Sequence, residues 1–251
     1  MTVTHYPITI EGETAPIGTA GELVVALDVL QGQHDRAVLE QLAPHLPEII
    51  ADASGLYWTL KELTVEDQLY LFGALGARLV DVIGRAGALR DLLATMAYEE
   101  VEERMLEALG GEGLRALIGT AEELAGALEW VYGDCDRLVL ELVGVPFLRR
   151  LFPSGYELSL VLHALDHDRQ RELIEMLGWE QVEALVHDRR DLAHLLRALP
   201  SELSNRLLTG FTREQLWDLA RDERGRKYLY QYLDAKEAAY LDKAMGENDA
   251  K

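Results

Sequence analysis

The sequence predicts an all-α protein: an α-solenoid, or superhelix, of six helical repeats of about 34 residues, with a C-terminal helical cap and a short extended N-terminal segment. Three observations carry that prediction. Leucines recur in one register along the chain, paired apolar residues follow each of them at a fixed distance, and helix-capping residues recur where the apolar pattern begins and ends.

The chain opens on MTVTHYPITI, in which Val3, Ile8 and Ile10 alternate with threonines. Residues 1–16 therefore read as an extended segment, and Pro7 confines it to an edge or irregular strand. A loose tail or a strand laid over the first repeat is the plain expectation. Strand addition to a partner or to a second copy is the sharper one.

The first helix of each repeat is marked by Leu23, Leu56, Leu89, Leu124, Leu158 and Leu192, at steps of 33, 33, 35, 34 and 34 residues. Four positions later stand Leu27, Leu60, Leu93, Leu128, Leu162 and Leu196, and seven later Leu30, Leu63, Met96, Val131, Leu165 and Leu199. Spacing of i, i+4, i+7 sets all three on one helix face. Capping boxes are expected ahead of this helix from Thr19 with Glu22, Thr120 with Glu123 and Ser154 with Glu157, and Asp52 and Asp188 hold the same place in two other repeats. Each cap contributes about 1 kcal/mol, which matters for helices too short to persist alone.

A second helix carries the pairs Val38/Leu39, Leu71/Phe72, Met105/Leu106, Val139/Leu140, Leu173/Ile174 and Leu207/Leu208, each with an apolar residue three positions on. Gly76, Gly110, Gly144 and Gly178 follow in four of the six, where a left-handed residue ends a helix at least steric cost. A third, shorter helix carries Leu46, Leu79, Leu114, Leu148, Val182 and Leu216, and in the last repeat it has its own box, Thr212 with Gln215. The repeats thus run 17–50, 51–83, 84–118, 119–152, 153–186 and 187–220. No repeat can bury its apolar faces alone, so neighbours must stack. Residues 221–243 read as a capping helix continuing through Leu229, Leu233 and Leu241, and 244–251 as a flexible tail.

The period invites comparison with tetratricopeptide repeats, but three short helices replace that family's two long ones, and its Trp-Leu-Gly-Tyr arrangement is missing. The stretch LPSELSNRLLTGFTREQLWDLARD instead resembles the short-helix armadillo- and HEAT-like repeats of the cytosolic amino-terminal domain of bacterial magnesium transporters and of flagellar motor proteins. The resemblance covers the last two repeats and implies a superhelical interaction surface.

Composition narrows the function classes. The net charge of −20 disfavours nonspecific binding to nucleic acid or anionic lipid. Residues 1–186 hold 12 basic and 32 acidic side chains, whereas 187–251 hold 12 of each, so the acidity belongs to the first three quarters. No apolar run approaches a membrane span and the amino terminus lacks the pattern of a secretory signal, so a cytoplasmic protein is expected. Cys135 is the single cysteine, and GDCD surrounds it with acids that oppose thiolate formation.

Candidate chemistry is sparse. His163 and His167 form an H-x-x-x-H pair flanked by Asp166 and Asp168, but His163 falls at the solvated position held elsewhere by Asp28, Lys61, Glu129 and Arg197. Glu99, Glu102, Glu103 and Glu107 are expected on a solvated helix face, and GGEG, residues 110–113, as a linker without the Lys and Ser/Thr of a phosphate loop. Arg221, Arg224, Arg226 and Lys227 with Tyr228, Tyr230 and Tyr232 have the interleaved cations and aromatics of a binding patch, for which a protein partner is expected ahead of single-stranded nucleic acid, yet packing of the tyrosines on the sixth repeat is the first expectation. Of the four tryptophans, Trp58 and Trp179 lie off the leucine stripe as possible interface anchors.

No cofactor and no metal is expected. The sequence points to a noncatalytic scaffold or adaptor that recruits or sequesters a protein partner with a basic surface. An acidic mimic of nucleic acid that blocks a nucleic-acid-binding protein is the alternative, and an enzyme with a site between repeats, around His163, His167 and Glu129, is the third. Neither direct nucleic-acid binding nor membrane binding is expected.

Overall fold

The computed structural model describes residues 3–30, 32–220 and 223–246. The protein is mostly helical with one two-stranded sheet, an all-α fold, and no helix among the described residues is long and apolar enough to cross a membrane. It divides into two compact bodies, Met1–Gly119 with Trp130–Val143, and Thr120–Glu129 with Gly144–Lys251.

The first body begins with a hairpin, β1 (Tyr6–Ile10) and β2 (Glu13–Ile17), paired antiparallel from Tyr6↔Ile17 to Ile10↔Glu13. Its two-residue turn holds Glu11 at φ 53° and Gly12 at φ 89°, the two positive values that match a tight turn to the twist of its strands. The extended segment expected from the sequence therefore has its own partner strand. The sequence ETAPI gave little sign of it, because Glu, Ala and Pro are poor strand formers.

The helices that follow are α1 (Ala20–Leu30), α2 (Asp35–Leu42), α3 (Leu46–Ile49), α4 (Ala53–Glu62), α5 (Val65–Leu75), α6 (Leu79–Ile83), α7 (Ala86–Leu93), α8 (Glu99–Leu117), α9 (Ala121–Leu128) and α10 (Cys135–Val143). Then come α11 (Val145–Leu151), α12 (Gly155–Ala164), α13 (His167–Leu177), α14 (Trp179–Ala184), α15 (Arg189–Ala198), α16 (Ser201–Gly210), α17 (Arg213–Leu219), α18 (Glu223–Leu229) and α19 (Ala235–Gly246). Of these, α9 and α11 belong to the second body and α10 to the first, so residues 119–152 do not stay together as one block. The physical reason lies in what each helix packs on: α10 lies on α8, and α9 on α12.

The aligned leucines form the core. Leu23, Leu56, Leu89, Leu124, Leu158 and Leu192 are at most 1% exposed, and every member of the six apolar pairs is equally buried. Each such side chain contributes about 2 kcal/mol by leaving water. The pattern weakens only at Leu30 and Val131, which are half-buried.

Side chains close the helix ends. Thr120 with Glu123 and Thr212 with Gln215 form complete capping boxes, and Asp52 and Asp188 accept N–H bonds at the starts of α4 and α15. The box expected at Ser154 is altered: its hydroxyl donates to Glu157 and accepts from the Tyr156 N–H. One device recurs at the other end. Gln68 Nε2 donates to the carbonyls of Leu60 and Leu63 at 2.8 and 3.2 Å, and Gln170 Nε2 to those of Leu162 and Leu165 at 2.7 and 3.2 Å. Ser204 Oγ reaches Leu196 and Leu199 in the same way, at 3.4 and 3.3 Å.

Gly76, Gly110, Gly144 and Gly178 all have positive φ, as expected, but with ψ of −134°, 177°, 151° and 139°. They are extended mirror-image residues open to glycine alone, not left-handed helical ones. At the same position Ala43 runs on into a 3-10 turn and Thr212 is extended with negative φ, so neither needs glycine. The GGEG stretch is not a linker: the chain kinks at Gly110 and is helical again from Gly111 to Leu117. A Cβ on Gly111 would sit 2.2 Å from the Leu142 carbonyl oxygen, and one on Gly113 would sit 2.7 Å from Val80 Cγ2. Arg115 holds the same approach by donating to the carbonyls of Leu142 and Val143.

The cap read at 221–243 is two helices, α18 and α19, broken between Leu229 and Ala235. Residues 244–246 end α19 rather than starting a tail, while Arg221 and residues 247–251 lie outside the described residues.

Two alanine substitutions separate close packing from helix propensity. Gly111→Ala should cost about 2 kcal/mol or more because backbone must move. Gly87→Ala, in α7 with open space where its Cβ would stand, should stabilise by about 0.5–1 kcal/mol. Thermal and urea unfolding of both variants checks the pair, and equal shifts would contradict this packing.

Candidate functional site

An open apolar feature of the first body is built on α1. Glu22 starts the helix: its Oε2 accepts the N–H groups of Gly18 and Thr19 at 2.8 and 3.1 Å, and its own N–H donates to Thr19 Oγ1 at 3.2 Å. The N–H bond from Gly18 holds its carboxyl below the usual range, with His5 adding to that effect. Because Leu23 and Leu27 turn inward, Val25 and Val29 turn outward, at 63% and 74% exposure.

The hairpin stands beside this face. Gln41 of α2 both accepts the Thr9 N–H, at 2.9 Å, and donates to the Thr9 carbonyl, so one amide side chain occupies the outer edge of β1. The Tyr6 ring stacks on His45 at 3.7 Å and its hydroxyl donates to Glu48, which raises the Tyr6 pKa. Between hairpin and α1 runs a groove of about 790 Å³. Ile10, Ala15, Val25, Ala26 and Val29 contribute its apolar walls and Glu11, Glu13 and Glu22 its charge, and among the described residues no lysine or arginine lines it. The sequence reading missed this site. The available signal was ELVVALDVL itself, which is apolar on the face that should be solvated as well as on the buried one.

The residues singled out beforehand are not brought together into one site. Trp58 on α4 is 51% exposed, edge-on to Tyr57 at 5.1 Å, with Lys61 Nζ over both rings. Trp179, at the start of α14, is half-buried under the Arg206 guanidinium at 5.4 Å. Arg224 and Lys227 of α18 are exposed and Arg226 is half-buried. The tyrosines beside them make protein contacts: Tyr228 meets Tyr232 edge-on at 5.5 Å, and the Tyr230 hydroxyl donates to Asp242. Burial first, then Asp242, pushes the Tyr230 hydroxyl up to about 12. Tyr98, Trp130 and Tyr132 are further exposed aromatics that the leucine register did not mark.

His163 and His167 are both exposed, on different helices, α12 and α13. Partial burial and the nearby Arg197 lower the His163 pKa. Among the described residues no group of three or more His, Cys, Asp or Glu side chains is placed to hold a metal ion. Cys135 is buried, and burial followed by the charges of Glu102, Glu99 and Glu103 pushes its thiol up to about 12.

Glu102 corrects the expectation of a solvated acidic face. It is fully buried, because it stands three residues before Met105 and so shares the face of Met105, Leu106 and Leu109. Its Oε2 accepts the Tyr132 N–H at 2.8 Å and its Oε1 has no partner. Asp35, also fully buried, holds the equivalent place before Val38/Leu39. This is the position at which Gln68, Gln170 and Ser204 cap a preceding helix. Burial raises both carboxyl pKa values, aided at Asp35 by the charge of Asp67.

No family model, curated protein or solved structure matches the chain.

Raised acids favour the protonated form in the fold, so their contribution is present at low pH and lost as pH rises through the folded pKa. Glu102→Gln and Asp35→Asn should therefore each stabilise at pH 7, by roughly 1 kcal/mol. The advantage over the parent should shrink as pH falls toward the ordinary carboxylate range. Thermal unfolding across that range checks the sign, and a variant deficit at pH 7 would show that the charged form is the one the fold uses.

Proposed function

We propose that the chain is an α-solenoid of six three-helix repeats and that it acts as a noncatalytic scaffold, recruiting or sequestering a protein partner with a basic surface. First helices pack on first helices in both bodies, and second helices on second helices in the first. In the first, α1 lies on α4 and α4 on α7, while α2 lies on α5 and α5 on α8; in the second, α9 lies on α12 and α12 on α15. This is the pattern expected where each short unit covers the apolar face of the next. The recurring caps of Gln68, Gln170 and Ser204, at the same spacings, support it further.

The single observation that carries the choice of partner is the charge asymmetry, 32 acidic against 12 basic side chains in residues 1–186. On α8 alone, Glu99, Glu100, Glu103, Glu107 and Glu112 are exposed. A surface of that sign favours basic partners and speeds their encounter at low salt.

A pull-down with the full chain from native lysate, at low and at high salt, tests the reading. Basic proteins should be enriched at low salt and recovered less at high salt. Enrichment of no protein under either condition would overturn it.

A further inference from the structure

We propose that the groove between the hairpin and α1 seats one amphipathic helix of a basic partner protein. The apolar face of that helix lies on Val25, Ala26 and Val29, and its lysines and arginines meet Glu11, Glu13 and Glu22. The inference rests on the stacked-repeat reading and gives that surface a specific docking place.

The shape of the seat comes from the repeat. Three positions after the register leucine stand Thr59 in α4, Val161 in α12 and Leu195 in α15, all fully buried, while Ala26 in α1 is half-exposed. Leu195 Cδ1 lies 3.0 Å from where a Cβ on Gly155 of α12 would stand, and the Cβ of Ala20 in α1 lies 2.7 Å from the same place on Gly55 of α4. The face that carries these positions is thus where one first helix meets the one before it. On α1 that face holds Glu22, Val25, Ala26 and Val29, with the hairpin alongside. A helix of 11 residues offers a track of about 16 Å, or three turns, to an incoming helix.

A strand is a poorer occupant. Pro7 pairs with Pro16, and neither has an N–H, so this is a non-bonded pair and the outward backbone groups are those of Pro7, Thr9, Thr14 and Pro16. Gln41 already holds Thr9, and Pro16 cannot donate. A second copy of this chain is also poorer, because two such grooves would bring six glutamates together with no lysine or arginine among their described lining residues.

The test uses the full chain and labelled synthetic helices of about 18 residues, read by fluorescence anisotropy. One peptide carries leucine at i, i+3, i+4, i+7 with lysine elsewhere, one is the same composition scrambled, and one replaces lysine by glutamate. The leucine–lysine helix should bind at least tenfold more tightly than either control, and Val25→Asp with Val29→Asp should weaken it at least tenfold. Glu11→Gln with Glu13→Gln should weaken it a few-fold and flatten its salt dependence. Val25→Thr with Val29→Thr, nearly the same shape, covers the case in which the aspartates disturb folding, and it should weaken binding several-fold. Binding unchanged in the valine variants, equal binding of the scrambled or acidic peptide, or no binding would each overturn the groove. A basic protein recovered from lysate equally by the parent and the valine variants would do the same while leaving the scaffold reading intact.

Discussion

Short helices with one greasy stripe cannot stand in water alone, and the rest of this structure follows from that constraint. Excluding α8, which is kinked at Gly110, no helix among the described residues exceeds 12 residues, a length at which isolated helices are marginal even in good sequences. Their stability has to come from tertiary burial. The register leucines and the apolar pairs supply it through their burial, with α1 on α4, α2 on α5 and α5 on α8 in the first body, and α9 on α12 and α12 on α15 in the second.

Cutting a chain into many short helices has a second cost. Every helix leaves several N–H and C=O groups without intrahelical partners, so the nineteen helices among the described residues leave many more than a few long ones would. Side chains meet much of that demand: Thr19, Asp52, Thr120, Asp188 and Thr212 at helix starts, and Gln68, Gln170, Ser204, Arg115 and Arg149 at carbonyl ends. Polar residues inside the core are therefore part of the construction. Asp35 and Glu102 differ in kind from Gln68, Gln170 and Ser204, since they place a fully buried ionisable group at the position where those three place a neutral donor. Their raised pKa values are the consequence of that substitution.

Much of this was legible in the sequence, because both the leucine register and the caps are local patterns with fixed helical spacing. The helices, the glycine positions of positive φ and the complete boxes at Thr120 and Thr212 were all readable that way. What failed was set by approach between segments far apart in sequence. Gly111 looked like a linker because nothing local announces the Leu142 carbonyl, and Glu102 looked solvated because it was read with its acidic neighbours and not with the face of Met105, Leu106 and Leu109 that it shares. The hairpin was half visible: ITI reads as strand, whereas ETAPI is held there by a tight turn. The candidate site suffered most. Trp58 was marked by residue type, but Val25 and Val29 matter through exposure, and exposure depends on which neighbour is missing.

That dependence distinguishes the two bodies. In the second, α18 lies on α15, its Tyr228 meets Tyr232 and the following Tyr230 meets Asp242, so α15 has a cover. In the first, the hairpin is fastened to α2 by Gln41 and to His45 and Glu48 by Tyr6, which leaves it beside α1 and not across it. A hairpin meant only to shield α1 would gain most by lying over Val25 and Val29. Instead it walls a groove whose apolar residues stay open and whose charged residues share one sign, an arrangement that costs solvation unless something occupies it.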